Sequence, residues 1–274
     1  MLRGRGVSLT TARRGLLDRR VFAAPLSYLL WGAYVVLVVA WTPLVAVYRA
    51  ATFRSDANRT RAGRLVRRAG VVAVRLNPFW DFRVAMAAAP DPGRPHLFVA
   101  NHRSMADVFL LCLLPWEMKF LSKESVFRIP LLGFLMRTAG DIALSRGDKD
   151  SARAALGEMR SRLLEGSSVV VFPEGTRSAD GSLAPFREGA FRLAAELSVD
   201  VVPLVIEGTE TALPKHSLVF APTSATVTVL PAIDTAGLAD ADAPRLAERV
   251  RAEIAHQLSS GEVARGRRCA PRLE

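Results

Sequence analysis

Residues 96–114 read HLFVANHRSMADVFLLCLL, and this run decides the class of fold. A short apolar strand, HLFVA, leads into a polar turn, NHRSMAD, and the turn into an apolar helix, VFLLCLL. The same alternation recurs outward from this unit. Short β-like runs stand at 81–87, 96–100, 119–122, 142–144, 168–172 and 201–206, with a further pair at 218–220 and 225–230. Helical patterns fall between and after them at 108–114, 130–138, 149–165, 188–197 and 243–258. Strands alternating with helices predict an α/β fold whose mixed, largely parallel sheet is flanked by helices. The pattern holds no internal repeat.

Upstream the texture differs. Residues 21–48 form an uncharged run, VFAAPLSYLLWGAYVVLVVAWTPLVAVY. As a single helix it would reach roughly 42 Å, more than the roughly 30 Å of a bilayer's hydrocarbon core. Pro25 and Pro43 are positioned to trim or kink it, and Trp31 and Trp41 to sit at the lipid–water interface. Arginines bracket the run: Arg3, Arg5, Arg13, Arg14, Arg19 and Arg20 before it, and seven more between Arg49 and Arg68 after it. A simple span would strand one basic flank on the translocated side. A segment that enters and leaves on one face accounts better for the symmetry. A signal peptide is the competing reading, but the run exceeds the usual core length and lacks a clear cleavage site. In residues 49–75, Leu65, Val66, Ala69, Val72 and Ala73 recur at helical steps opposite Arg64, Arg67, Arg68 and Arg75. That spacing predicts a basic amphipathic helix on lipid head groups, or else a solvated surface helix. The organisation expected is a membrane-anchoring segment over 1–75, a main domain over 76–260 and a polar, basic tail over 261–274.

The net charge of +11 belongs to that first segment. Residues 1–75 carry 14 arginines against two acidic residues, whereas the rest holds 23 basic and 24 acidic side chains. A basic segment can serve nucleic acid or anionic lipid. Because it brackets an apolar run, and no zinc-finger spacing or RNP-like motif is present, lipid is the expected partner. Cys112 in an apolar run and Cys269 in a polar tail do not make a disulfide framework. The four histidines are scattered, with no H-E-x-x-H pattern and no metal cluster.

Two turns carry candidate chemistry. In the first, His102 and Asp107 stand five residues apart across a strand-to-helix turn, where α/β proteins usually place ligands. Folded back, the carboxylate would fix the imidazole's tautomer and steady the charge formed when its other nitrogen takes a proton. An unperturbed imidazole titrates near about pH 6.5, which suits a base that activates an alcohol. Alternatively Asp107 merely caps its helix. The second turn is Phe172-Pro-Glu-Gly-Thr-Arg-Ser178, where Pro173 ends a strand and Gly175 permits a tight backbone. Arg177 offers a fork of donors for a phosphate, and backbone amides of such a loop add to the cradle. A surface turn with an internal Glu174–Arg177 pair is the plainer alternative. Lys123 and Arg146 each end a strand candidate and form a possible cation pair for the same anion. The apolar turn 127–136 could line an acyl groove, and Val202-Pro203 would shape a pocket wall.

Taken in order, these elements resemble the glycerolipid acyltransferase family that includes the 1-acylglycerol-3-phosphate acyltransferases. The His-x4-Asp block is His102 to Asp107, with Asn101 before it. The second block is a loose match at Gly140–Arg146, the third a full one at Glu174–Arg177 in FPEGTRS, and the fourth is Val202-Pro203. Many members carry an aromatic residue and an aspartate where this chain has Ala143, Leu144 and Ser145, a departure that bears on the acceptor more than on the reaction. The resemblance implies transfer of a fatty acyl group from acyl-CoA or acyl carrier protein to the free hydroxyl of 1-acylglycerol-3-phosphate, giving phosphatidic acid without an acyl-enzyme. His102 would be the base and Asp107 its orienting partner. Lys123, Arg146, Glu174, Gly175, Thr176 and Arg177 would form the phosphate site. No metal or redox cofactor is required. The chain is expected at the cytoplasmic face of the plasma membrane, monotopic or single-pass, and nothing in it sets an oligomeric state. Alternatives are another acceptor (glycerol-3-phosphate or another lyso-lipid), a non-catalytic lipid-binding protein, and a serine esterase using Ser104.

Overall fold

A computed structural model describes residues 20–176, 182–214 and 217–260. The chain starts with two helices, α1 (Arg20–Ala51) and α2 (Thr60–Leu76), before β1 (Trp80–Met86) and β2 (Leu97–Ala100). Then come α3 (Asp107–Leu111), β3 (Met118–Lys123), α4 (Glu124–Phe127), α5 (Leu132–Ala139) and β4 (Ile142–Leu144). The remainder is α6 (Lys149–Leu164), β5 (Ser168–Val171), α7 (Gly189–Leu197), β6 (Val201–Glu207), β7 (Thr223–Val229) and α8 (Ala243–Ser260).

Seven strands form one sheet in the order β1-β7-β6-β2-β5-β3-β4. Every neighbouring pair is parallel except β6 with β7. The expected mixed, largely parallel sheet is therefore the one observed. Its central strands are apolar on both faces, as buried parallel strands must be. Phe98, Ala100, Val170, Val202 and Leu204 meet Leu110 and Leu111 of α3 on one side. Leu97, Val99, Val169, Val171 and Val205 meet α6, α7 and α8 on the other, through Met159, Phe191 and Val250. The expected strand at 218–220 does not form. Its Phe220 instead stacks on Trp31 with ring centroids 5.1 Å apart, and its N–H donates to Ser27 Oγ at 2.9 Å. The segment is held to α1 rather than to a strand.

Helix α1 contains the apolar run and continues through Pro25 and Pro43. Over Ala23–Ala51 it is long and apolar enough to cross a membrane, and only 17% of its most apolar window is buried. Leu30, Tyr34 and Val45 face the protein, whereas Leu29, Val35, Val36, Val39 and Val47 are exposed. Trp31 and Trp41, expected at a lipid–water interface, have their indole N–H groups turned inward. They donate at 2.8 Å to the carbonyls of Leu218 and Leu65. The tryptophans thereby fasten α1 to the body.

The apolar side of α2 packs on protein, not on lipid, which corrects the expectation for residues 49–75. Ala62, Val66, Val71, Ala73 and Val74 are buried, and Arg67, expected on the polar side, turns inward to pair with Asp141. Arg61, Arg64, Arg68 and Arg75 remain exposed. Two glycines allow this close approach. A Cβ at Gly63 would lie 2.0 Å from Glu117 Oε1, and one at Gly70 2.5 Å from Cys112 Sγ. Asp56 caps the helix by accepting from the N–H groups of Arg61 and Ala62 at 3.0 and 2.9 Å.

The turn from α4 to α5 is equally tight. Leu131 adopts φ +60°, and a Cβ on Gly133 would fall 2.0 Å from the carbonyl oxygen of Phe127. Because that obstacle is backbone, Gly133→Ala must push two helices apart, at a cost on the order of 3 kcal/mol. A urea-unfolding midpoint unchanged by the substitution would contradict this.

Candidate active site

The orientation of the sheet assembles the site. The carboxyl ends of β6, β2, β5, β3 and β4 share one edge, and each candidate residue with a described position stands on it. At the end of β2, the Asn101 side chain replaces the backbone ladder. Its Nδ2 donates to Ile206 O at 2.9 Å and its Oδ1 accepts from Ile206 N at 2.8 Å. Pairing with β6 thus continues through a side chain while the main chain turns away at His102.

Asp107 does fold back. Its Oδ2 lies 2.7 Å from His102 Nδ1 and also accepts the N–H groups of Arg103 at 2.8 Å and Ser104 at 2.9 Å. One fully buried oxygen thus fixes both the imidazole and the turn that carries it. With its proton on Nδ1, the ring presents Nε2 as an acceptor. The ring also stacks on Phe172, centroids 4.2 Å apart and planes 24° from parallel, and its side chain is only 11% exposed. The alternative in which Asp107 simply caps α3 does not describe these contacts, since no side chain caps that helix.

Glu174, on the loop after β5, joins three segments. Its Oε1 accepts the His102 N–H at 2.8 Å, and its Oε2 accepts the Ala184 N–H at 3.2 Å. Burial pushes its carboxyl above the usual range, while the two N–H bonds pull it down. Both oxygens are engaged by the protein, so the geometry suits a clamp on the His102 turn better than a contact to a phosphate. Gly175 adopts φ +72°, which favours glycine, and its N–H donates to Phe172 O at 3.1 Å. That amide is thereby turned away from any incoming oxyanion. Thr176 is exposed. Arg177 lies outside the described residues.

Lys123 ends β3 and Arg146 follows β4, both exposed on the same edge. The strand order sets them two and three strands from β2. At about 4.8 Å per strand they stand roughly 10 and 14 Å to the side of the His102 turn. On the other flank Arg103 pairs with Glu210 at 3.5 Å and faces Glu207, whose carboxyl burial pushes up.

Neither Ser104 nor Cys112 is placed as a nucleophile. Ser104 is 1% exposed, and its hydroxyl donates to Leu213 O at 3.3 Å. Burial raises the Cys112 thiol to about 11, which leaves little thiolate. Two residues at the site have no role assigned by the sequence. Phe172 was legible only as part of its loop. Arg187 has no local signal, and its guanidinium lies against Gly175.

The acyltransferase family model matches residues 82–207, a span that includes both turns. A 1-acyl-sn-glycerol-3-phosphate acyltransferase of Chlamydomonas reinhardtii is 42% identical over 125 residues, 46% of this chain and 38% of that protein. The human alpha enzyme of that name is 35% identical over 162 residues, 58% of this chain and 57% of its own. The human beta enzyme is 30% identical over 193 residues, 68% of this chain and 69% of its own. The chain spans about two-fifths of the length of the algal relative and of a chloroplastic one from Brassica napus. Among solved structures, the crystal structure of the 1-acyl-sn-glycerophosphate acyltransferase PlsC from Thermotoga maritima superposes with a TM-score of 0.71 at 23% identity. That match covers 91% of this chain and 100% of the other, so the two share a fold. With a relative matched over more than two-thirds of both lengths, this chain belongs to the acyltransferase family that includes the 1-acyl-sn-glycerol-3-phosphate acyltransferases.

Proposed function

We propose that the chain is an O-acyltransferase that moves a fatty acyl group from acyl-CoA or acyl carrier protein to the free hydroxyl of 1-acylglycerol-3-phosphate, giving phosphatidic acid. The observation that carries this reading is the His102–Asp107 pair at 2.7 Å, with Nε2 left as an acceptor at the sheet edge. His102 Nε2 takes the hydroxyl proton as the acceptor oxygen attacks the thioester carbonyl. The tetrahedral intermediate collapses by breaking the C–S bond, and the sulfur leaves with the proton returned by His102. Ester and thiol are formed, and no acyl group passes through the protein. Asp107 steadies the transient imidazolium, while Glu174 positions the turn through the His102 N–H. Arg177, with Lys123 and Arg146 on the flank, is assigned to the acceptor's phosphate.

The exposed apolar side of α1 supports seating in a bilayer, which brings a lipid acceptor to the sheet edge. Cytoplasmic-face, plasma-membrane placement, monotopic or single-pass, goes with a soluble anionic donor. The decisive experiment is mass spectrometry of products from membranes carrying the protein, offered a panel of lyso-lipids with each donor. Phosphatidic acid is the expected product, and no acylated product from any acceptor would overturn the reading. Charge reversal, Arg177→Glu, is expected to raise the KM for the phosphorylated acceptor by about tenfold or more. An unchanged KM would remove Arg177 from the phosphate site.

A further inference from the structure

We propose that Arg187 is a further phosphate-binding residue of this site, holding a substrate phosphate beside Gly175. The inference rests on the acyl-transfer reading above and extends it to a residue outside both motifs. An ideal Cβ at Gly175 would lie 2.8, 2.9 and 3.0 Å from Nε, Cζ and Nη2 of Arg187. Three nearly equal distances mean that the guanidinium lies flat across the glycine's open face. Gly175 therefore serves twice, by its left-handed backbone and by leaving its open face for the guanidinium to lie against.

The backbone fixes this placement. The Arg187 N–H donates to Pro173 O at 3.1 Å, and the Ala184 N–H donates to Glu174 Oε2 at 3.2 Å. The stretch before α7 is thus tied alongside the loop after β5. One residue along that loop, Glu174 holds the His102 N–H at 2.8 Å. Arg187 consequently stands beside the turn that carries the general base.

Among the described residues no carboxylate pairs with its charge. Glu188 is engaged with Arg192 at 2.9 Å, and Glu174 with two backbone N–H groups. Among the described residues the Arg187 guanidinium has no ion pair, and the residue is exposed. Arg103, on the opposite flank of His102, differs in this respect, being paired with Glu210 at 3.5 Å. A planar, exposed guanidinium on a glycine loop, with no ion pair among the described residues, suits a phosphate, which it can meet with two parallel N–H bonds. Both the acceptor's phosphomonoester and the phosphates of a CoA donor have this chemistry.

Steady-state kinetics of the full chain in mixed micelles distinguish the sources. Arg187→Ala and Arg187→Lys are compared with wild type, with Arg251→Ala on α8 as a control for loss of a surface charge. The acceptor is varied at saturating acyl-CoA, acyl-CoA at saturating acceptor, and an acyl-pantetheine thioester without phosphates serves as a third arm. Arg187→Ala is expected to raise the acceptor KM by about tenfold or more, and Arg187→Lys by less, because an ammonium cannot bond in parallel. A rise confined to the acyl-CoA KM and absent with acyl-pantetheine would keep Arg187 as a phosphate ligand but assign it to the donor. Unchanged KM values in all arms, with wild-type circular dichroism, would overturn the proposal. A wild-type protein inactive on every acceptor would instead remove the acyl-transfer reading, and this inference with it.

Discussion

His102→Ala is expected to lower the turnover number for acyl transfer by about 10³-fold, within the range that a positioned general base contributes. A loss of that size corresponds to about 4 kcal/mol of transition-state stabilisation. It should leave the protein folded, because among the described residues the imidazole bonds to Asp107 and stacks on the Phe172 ring and holds no other element in place. Asp107 would keep the N–H groups of Arg103 and Ser104, so the turn retains its shape without the ring. Lipid association, read by flotation with vesicles, should persist because α1 is untouched. The measurement is release of free thiol, with product identified by mass spectrometry. Retention of more than about a tenth of wild-type turnover would place the base elsewhere. A wild-type protein that binds vesicles but never releases thiol would favour a lipid-binding role without catalysis.

The largest effect on stability is expected from Asp141→Ala. The Asp141 side chain is fully buried, pairs with Arg67 of α2 and accepts the Phe120 N–H at 2.9 Å. Arg67 is itself only 14% exposed and stacks over the Phe120 ring at 4.2 Å. Removing the carboxylate would leave a largely buried guanidinium with the Met118 carbonyl, 3.3 Å away, as its remaining hydrogen-bond partner, and would orphan the Phe120 N–H. Breaking a buried pair from one side costs about 3–5 kcal/mol, chiefly because the surviving charge stays desolvated. The loss should appear in the urea-unfolding midpoint of the detergent-solubilised protein. Arg67→Met, which substitutes apolar volume for the cation, should cost less. If Asp141→Ala proved as mild as an exposed substitution, under about 0.5 kcal/mol, the pair would not be what joins α2 to the sheet.

The same cluster shows where local pattern stops being informative. Helical spacing set Arg67 among the polar residues of α2, and by spacing alone nothing separates it from Arg64 or Arg68. What separates them is Asp141, 74 residues away, together with glycines that let α2 approach Glu117 and Cys112 closely. Trp31 and Trp41 make the same point. As tryptophans near the ends of an apolar run they read as interface anchors, yet carbonyls at Leu218 and Leu65 claim their N–H groups.

By itself, the sequence determined the α/β class, most strand and helix positions and the two candidate turns, and it put the His102–Asp107 pairing within reach. These rest on signals confined to neighbouring residues: the period of apolar side chains, a proline or glycine that ends a run, and a carboxylate within reach across one turn. The tertiary structure alone decided that Glu174 would clamp a histidine 72 residues away, that Asn101 would stand in for a rung of ladder with Ile206, and that Arg187 would lie on Gly175. Each depends on which strands become neighbours, an order of β6-β2-β5-β3 that no local period encodes. The physical reason is that strand adjacency follows from burying both faces of the sheet at once. Such packing sums contacts over the whole chain and leaves no trace in any short stretch of it.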